Sequence, residues 1–359
     1  MGATGLQTRG LLNSAEAHPT TRRQFLLYTG GLLACTLVEN TIGWAEGLAP
    51  ATTQRRTLWA MGGWNLLEVT ADDSSLAAFA LARSVDAIRE IDRTFSVFDP
   101  QSPISELNTA RRLCLPLDNP LLLDGLAGAL AWAGATDGAF DPAVEPLMAR
   151  WGFRESVRKQ DDPVSGSPHA LVEIDRQRGV VTRESVRTQL DSGGWAKGMA
   201  AQRAVEAALD AGAESAQVNC GCDIFRSGTD DWRCFIRDPQ GAPSDVAVRC
   251  RTRHRSVATS GNYENSRTSP RGARVGHLMD PRTALPAESD IESVTVFGDD
   301  GLAVDAVSSA LFVMGSRDAV RWLNRHPDYA AVILRNGWKS DATCREVIGG
   351  IDVDWMLHG

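Results

Sequence analysis

Leu190-Asp191-Ser192-Gly193-Gly194-Trp195-Ala196-Lys197-Gly198 is the stretch on which the fold reading turns. A short apolar strand ends, the chain turns through a glycine pair, and a helix opens. Beyond it Ala201, Ala204, Val205 and Ala208 recur at i, i+3, i+4 and i+7, while Arg203, Glu206 and Asp210 take the other side. That period marks a helix with one buried face. Asp191 can cap the helix, and the glycine pair lets the backbone approach a ligand closely. The free N–H groups and the dipole of a helix N-terminus attract phosphate. Lys197, in the first turn, adds a point charge suited to a diphosphate. An ordinary glycine turn into a core helix has the same local pattern, so the surrounding chain must decide.

Upstream, Leu58 to Val69 reads as strand, interrupted at Met61-Gly62-Gly63, where a bulge or a close ligand approach is expected. Ser74 to Phe95 reads as a helix with Leu81, Val85, Ile88, Ile91 and Phe95 on one face. Leu121 to Ala133 is a second helix, ending in the turn-rich Thr136-Asp137-Gly138-Ala139-Phe140-Asp141-Pro142, and Glu145 to Trp151 a further short one. Residues 154–169 read as a surface loop, and Leu171 to Thr182 as a hairpin. Downstream come strand–turn–strand around Cys220-Gly221-Cys222-Asp223, then strands near 234–236, 246–251, 256–259 and 293–297. Leu302 to Met314 and Arg317 to Asn324 are helices, and Ala330 to Leu334 is a late strand. Hairpins and helices without regular βαβ alternation predict an α+β fold.

The 359 residues suffice for one large domain or two small ones, and 43% hydrophobic with 23% charged residues is a globular composition. A net charge of −8 without a basic cluster argues against nucleic acid as a partner. Residues 1–45 read as a twin-arginine signal peptide: Thr21-Arg22-Arg23-Gln24-Phe25-Leu26, an apolar run from Phe25 to Ala34, and a cleavage site after Ala45. Leu32-Leu33-Ala34-Cys35 supplies a second reading, a lipobox whose Cys35 would carry a lipid anchor. Export to the periplasm is therefore expected, with a membrane-anchored lipoprotein facing the periplasm as the alternative. Residues 46–55 read as a linker, and 56–359 as the folded domain. Without Cys35, six of the seven cysteines remain, and an oxidising compartment permits disulfides. Cys220-Gly221-Cys222 lacks a second pair or a nearby His, so it reads as structural rather than metal-binding.

Asp305 and Ser309 stand at i and i+4, so one helical face presents two hard oxygens, which suits Mg²⁺. His277, beside Asp280-Pro281, is a candidate general base or ligand hydrogen bonder. Met61 and Phe98 offer an apolar face for a flat ring. No Gly-x-Ser-x-Gly elbow, His-Glu-x-x-His or P-loop occurs in the chain.

Taken in order, Met61-Gly62-Gly63, Phe95-Ser96-Val97-Phe98-Asp99, Ile104-Ser105-Glu106-Leu107-Asn108, Thr136 to Pro142, Asp191 to Gly198, Asn219 to Asp223, Ala258-Thr259-Ser260-Gly261, His277 to Thr283 and Asp305 to Leu311 resemble one family, ApbE, the FAD:protein FMN transferases. The resemblance spans roughly residues 56–335. It implies an α+β, T-fold-related unit of mixed sheets with packed helices. It implies a Mg²⁺-dependent reaction in which FMN passes from FAD to a Thr or Ser hydroxyl of an acceptor redox protein, releasing AMP. Met61, Phe98, Ala139, Phe140, Asp141, Asp191, Lys197, His277 and Met279 would then line the FAD site. Gly194 (through its carbonyl), Asp305 and Ser309, with Ser308 close by, would hold Mg²⁺; His277 and Asp305 would be the catalytic pair. Two alternatives remain open: an FAD-binding protein without transfer, and a pyrophosphatase giving FMN and AMP. Departures from the family pattern are Cys222 and Ala284 where glycine is usual, Ser192 for Leu, Phe98 for Tyr and Ser309 for Thr. Cys222 is expected to matter most, through lost φ freedom or ligand clearance.

Overall fold

The computed structural model describes residues 51–154, 168–263, 265–268 and 274–356. The export signal, Cys35, residues 46–50 and residues 155–167 of the expected surface loop lie outside the described residues.

An eight-stranded sheet forms the spine: β1 (Thr52–Ala60), β2 (Gly63–Ala71), β3 (Ser215–Cys220), β4 (Asp223–Arg226), β5 (Ser256–Gly261), β6 (Ile291–Gly298), β7 (Ala330–Arg335) and β8 (Arg345–Ile348). The strands lie side by side in chain order and every neighbouring pair is antiparallel. Helices are inserted between them: α1 (Ser74–Phe95), α2 (Pro103–Thr109), α3 (Pro120–Ala135), α4 (Glu145–Arg150), α5 (Ala196–Asp210), α6 (Gly301–Met314) and α7 (Ser316–Arg325). The architecture is α+β.

Two sequence expectations are corrected here. Residues 52–55, expected to belong to the linker, are strand instead, Thr52 to Arg55 pairing with Glu68 to Ala71 in the first hairpin. The Met61-Gly62-Gly63 interruption is that hairpin's turn rather than a bulge. Met61 (φ 55) and Gly62 (φ 72) both take positive φ between the paired Ala60 and Gly63, as a type I′ turn demands.

Local chemistry explains the helices that matter for the site. Asp73 caps α1 by accepting from Ser75 and Leu76 N–H, and Ala77, Leu81, Val85, Ile88, Ile91 and Phe95 form its buried stripe. That stripe packs with the apolar face of α5 and with β1 to β4 in one core. The period-2 alternation of β6 and β7 splits a second region in two. Val294, Val296, Ala331 and Ile333 face α6 and α7. Phe297, Ala330, Val332 and Leu334 face a three-stranded sheet of Trp232–Arg237, Val246–Thr252 and Asp352–Trp355. None of the helices among the described residues is long and apolar enough to cross a membrane.

Helices α5 and α6 approach most closely at two glycines. A Cβ on Gly198 would lie 2.0 Å from the Gly301 carbonyl oxygen, and one on Gly301 would lie 2.2 Å from that of Gly198. Gln202 Oε1 accepts the Gly301 N–H at 2.7 Å, fixing the start of α6 against α5. Only backbone fits in this crossing, and it sets Lys197 beside Asp305.

Candidate active site

A cavity of about 680 Å³ opens where the turn after β1, the loop after α1, the 139–144 turn, the Asp191–Lys197 segment, the β3–β4 turn, the end of β5 and α6 converge. Its floor is held by buried hydrogen bonds across distant sequence. Asn108 Nδ2 donates to Leu190 O (2.8 Å) and Asn108 Oδ1 accepts from Leu190 N (2.7 Å). Ser192 Oγ donates to Phe95 O at 2.6 Å, so the hydroxyl that departs from the family's Leu ties this segment to the end of α1. Trp195, fully buried and edge-on to Phe95 at 4.8 Å, donates Nε1 to Asp191 O at 2.9 Å.

Asp191 does not cap α5, contrary to the sequence expectation. Trp195 occupies the N-cap position without a side-chain hydrogen bond. The Asp191 carboxylate turns back instead to Gly193 N–H (2.6 Å) and Arg154 Nη2 (2.8 Å). Burial alone would raise its pKa, but Arg154, Glu145 and the Gly193 N–H hold it below the usual carboxylate value.

At the opposite wall Lys197 Nζ lies 2.5 Å from Asp223 Oδ2 and 3.6 Å from Asp305 Oδ2. Burial works to lower the Lys197 pKa, and the two carboxylates outweigh it, so the ammonium is held charged. Asp305, which also accepts Gly198 N–H at 3.2 Å, is pushed up to about 7 by burial and then by Asp223. With both carboxyls ionised, one ammonium faces two carboxylates, a negative excess that a divalent cation would offset. The nearby donors are hard oxygens: a Cβ on Gly194 would sit 3.3 Å from Ser309 Oγ, so that backbone and hydroxyl meet beside Asp305. Among the described residues there is no group of three or more His, Cys, Asp or Glu able to hold a metal. One or two carboxylates completed by hydroxyl, carbonyl and ligand phosphate is the donor set of Mg²⁺ rather than of zinc. The residues present therefore fit that ion.

His277 Nδ1 faces Asn265 O at 3.2 Å. A carbonyl only accepts, so Nδ1 carries the proton and Nε2 has a free lone pair. Burial lowers the imidazole pKa to about 4, opposed by the Asn265 carbonyl and helped by the Lys197 and Arg154 charges, so the ring is neutral at pH 7.

Of the residues singled out from sequence, Met61, Phe98, Ala139, Phe140, Asp141, Asp191, Gly194, Lys197, His277, Met279, Asp305 and Ser309 all line this cavity. Ser308 stands behind the wall, its hydroxyl 2.8 Å from that of Ser260 and donating to Asp305 O. The Asp141 carboxylate is turned inward, accepting from Ala143 N–H and meeting His169 Nδ1 at 2.8 Å. The concern over Cys222 resolves in part: Gly221 (φ 73), not Cys222, takes the positive φ of that hairpin turn. Cys222 still lines the cavity. Ala284 does occupy the left-handed region, at φ 60, so the missing glycine is felt there as strain. All six cysteines of the described residues are thiols.

Sequence reasoning missed Asp223, Arg154 and Glu145. Nothing local in the sequence marks Asp223 for a role, because only the β3–β4 hairpin brings it to Lys197.

The ApbE family model matches residues 61–334. FAD:protein FMN transferases of Treponema pallidum and Rhodobacter capsulatus are each 30% identical, over 235 and 285 residues (58% and 75% of this chain). The chain spans 64% and 53% of the lengths of those two relatives. The crystal structure of the ApbE protein from Thermotoga maritima superposes with a TM-score of 0.70 at 26% identity, covering 84% of this chain and 96% of that one. The flavin transferase ApbE from Vibrio cholerae gives 0.66 at 20%, covering 84% and 98%, a likeness of fold. A cavity whose wall joins the Asp191–Lys197 turn to the start of α6, on a chain matched by the family model over most of its length, shows that this protein belongs to the ApbE family.

Proposed function

We propose that this chain is an FAD:protein FMN transferase, moving FMN from FAD to a Thr or Ser hydroxyl of an acceptor redox protein and releasing AMP. The observation that carries the reading is the juxtaposition of Lys197 with Asp305, 3.6 Å apart on the wall of a cavity large enough for a dinucleotide. The names and activities of the relatives support it.

Lys197 would hold a diphosphate oxygen, and its positive charge would offset charge developing on the leaving phosphate. Met61, Phe98 and Phe140 supply apolar surface for the ring systems. Asp305, Ser309 and the Gly194 carbonyl would hold Mg²⁺, which when bound supplies phosphate charge neutralisation and in-line orientation. The His277 Nε2 lone pair would take the acceptor proton. In the balanced step the acceptor oxygen bonds to the phosphorus on the FMN side. The anhydride P–O bond to AMP breaks, AMP leaves with the bridging oxygen, and the hydroxyl proton passes to His277.

The experiment combines the protein with FAD, Mg²⁺ and an acceptor domain, and reads covalent flavin by in-gel fluorescence and mass shift. Labelling of the acceptor with AMP release is the expected result. Release of free FMN and AMP without acceptor would identify a pyrophosphatase instead, and tight FAD binding with no turnover a carrier. We also propose export to the periplasm, supported by the twin-arginine pattern; an uncleaved N-terminus in cells would overturn it.

A further inference from the structure

Arg154 and Glu145 lie beside this cavity without a part in the transfer step. Arg154 lines the cavity directly, four residues past the end of α4. Its Nη2 donates to Asp191 Oδ2 at 2.8 Å and its Nη1 to Phe153 O at 3.1 Å. Its guanidinium carbon sits 4.8 Å from the centroid of the Phe98 ring, which is 71% exposed at the cavity rim. Its Nε points toward Glu145 Oε2 at 3.5 Å, and neither atom has a hydrogen-bond partner among the described residues. A second cation–aromatic pair continues the wall, with Arg267 5.5 Å over the Phe153 ring and Phe153 6.4 Å from His277.

We propose that Arg154 is a ligand-binding residue of this cavity, whose guanidinium, stacked on Phe98 and held by Asp191, takes a flat heteroaromatic ring of the bound dinucleotide. This rests on the reading of FAD as the ligand.

Three features favour a ring over a phosphate. The guanidinium is planar and already lies against one aromatic face, the geometry in which arginine stacks on rings. Its charge is matched by Asp191, whose carboxylate has one oxygen on Arg154 and the other on Gly193 N–H. A near-neutral ion pair suits an uncharged ring with acceptor atoms on its edge. Lys197, at the other wall, is the cation that the proposed transfer assigns to the anionic part of the molecule, with Mg²⁺ to offset its two carboxylates.

Glu145 is a positioning residue. Burial, and then the neighbouring Asp191 charge, push its carboxyl up to about 10, so it carries a proton and leaves Asp191 to pair with Arg154.

FAD carries two rings of this chemistry, isoalloxazine and adenine, and the test separates them. Dissociation constants for FAD, FMN and ADP are measured by flavin fluorescence and calorimetry on the full chain with Mg²⁺ present. Arg154→Lys keeps a cation for Asp191 and loses only the planar fork. Arg154→Met is the severer variant, and thermal melts check that each folds. Arg154→Lys should weaken FAD about tenfold, the scale of one desolvated cation–aromatic contact. FMN should share the loss and ADP escape it if the flavin ring is the partner; the reverse assigns adenine. Glu145→Ala should reproduce the loss, and Glu145→Gln should rescue it. Folded Arg154 variants that bind all three ligands within twofold of wild type overturn the proposal, as do equal losses for FMN and ADP. A wild-type protein that binds FAD without transferring FMN sinks the transferase reading and leaves this one standing; one that binds no FAD sinks both.

Discussion

Gly198→Ala tests whether the α5–α6 crossing makes the site. The new Cβ would lie 2.0 Å from the Gly301 carbonyl oxygen and 2.9 Å from Asp305 Cβ. Ordinary van der Waals contact begins at 3.4 Å, so the two helix starts must separate by about 1.4 Å, and neither obstacle is the flexible end of a side chain. Overpacking of this kind costs about 1–3 kcal/mol, and a backbone obstacle places this case near about 3 kcal/mol. For a domain of this size that is a fall in Tm of roughly 5–10 °C. The same displacement stretches the Gly198 N–H···Asp305 bond beyond its 3.2 Å and carries Asp305 away from Lys197. Differential scanning fluorimetry reads the first effect and the FMN-transfer assay the second. Gly301→Ala should behave alike, and the double variant should lose less than the two singles combined, because one separation relieves both clashes. A Gly198→Ala protein melting within about 1 °C of its parent with undiminished transfer would refute the reasoning.

Asp305→Ala should abolish the proposed transfer while the chain still melts cooperatively, and Mg²⁺ should no longer raise its Tm; unchanged transfer removes Asp305 from the metal site. His277→Gln should slow transfer by about a hundredfold or more, as expected for loss of a general base, with a smaller effect on FAD affinity. Because the His277 pKa falls from 6.5 unfolded to about 4 folded, its contribution to stability is present above pH 6.5 and is lost as pH falls through about 4. Wild type should therefore lose stability over that window by more than His277→Gln does, and transfer should show no His277 inflection near pH 6.5. An inflection there that His277→Gln removes would overturn the assignment. Ala284→Gly should raise the urea midpoint, since it relieves a non-glycine residue at φ 60; a gain of about 0.5–1 kcal/mol is expected, and a loss would show that the buried methyl matters more.

The local record was legible in the sequence wherever one element makes its own signal. The stripe of α1, the apolar period of α5 and the turn residues before Pro142 each depend on residues within a few positions of one another, so their burial pattern is written in order. Resemblance to the family supplied the cavity-lining residues, because such motifs preserve the backbone turns that present them. The Met61–Gly62 turn was misread because a paired glycine dipeptide looks the same as a bulge until the partner strands are known. Asp191 was misread as a cap because its actual partner, Arg154, stands 37 residues away across a loop. The Lys197–Asp223–Asp305 cluster joins Lys197 to positions 26 and 108 residues further along the sequence. Periodicity and propensity report which face of an element is buried. Which side chains then meet is decided by the order of strands and by how near two helices can come, and here a pair of glycines at the α5–α6 crossing sets that distance.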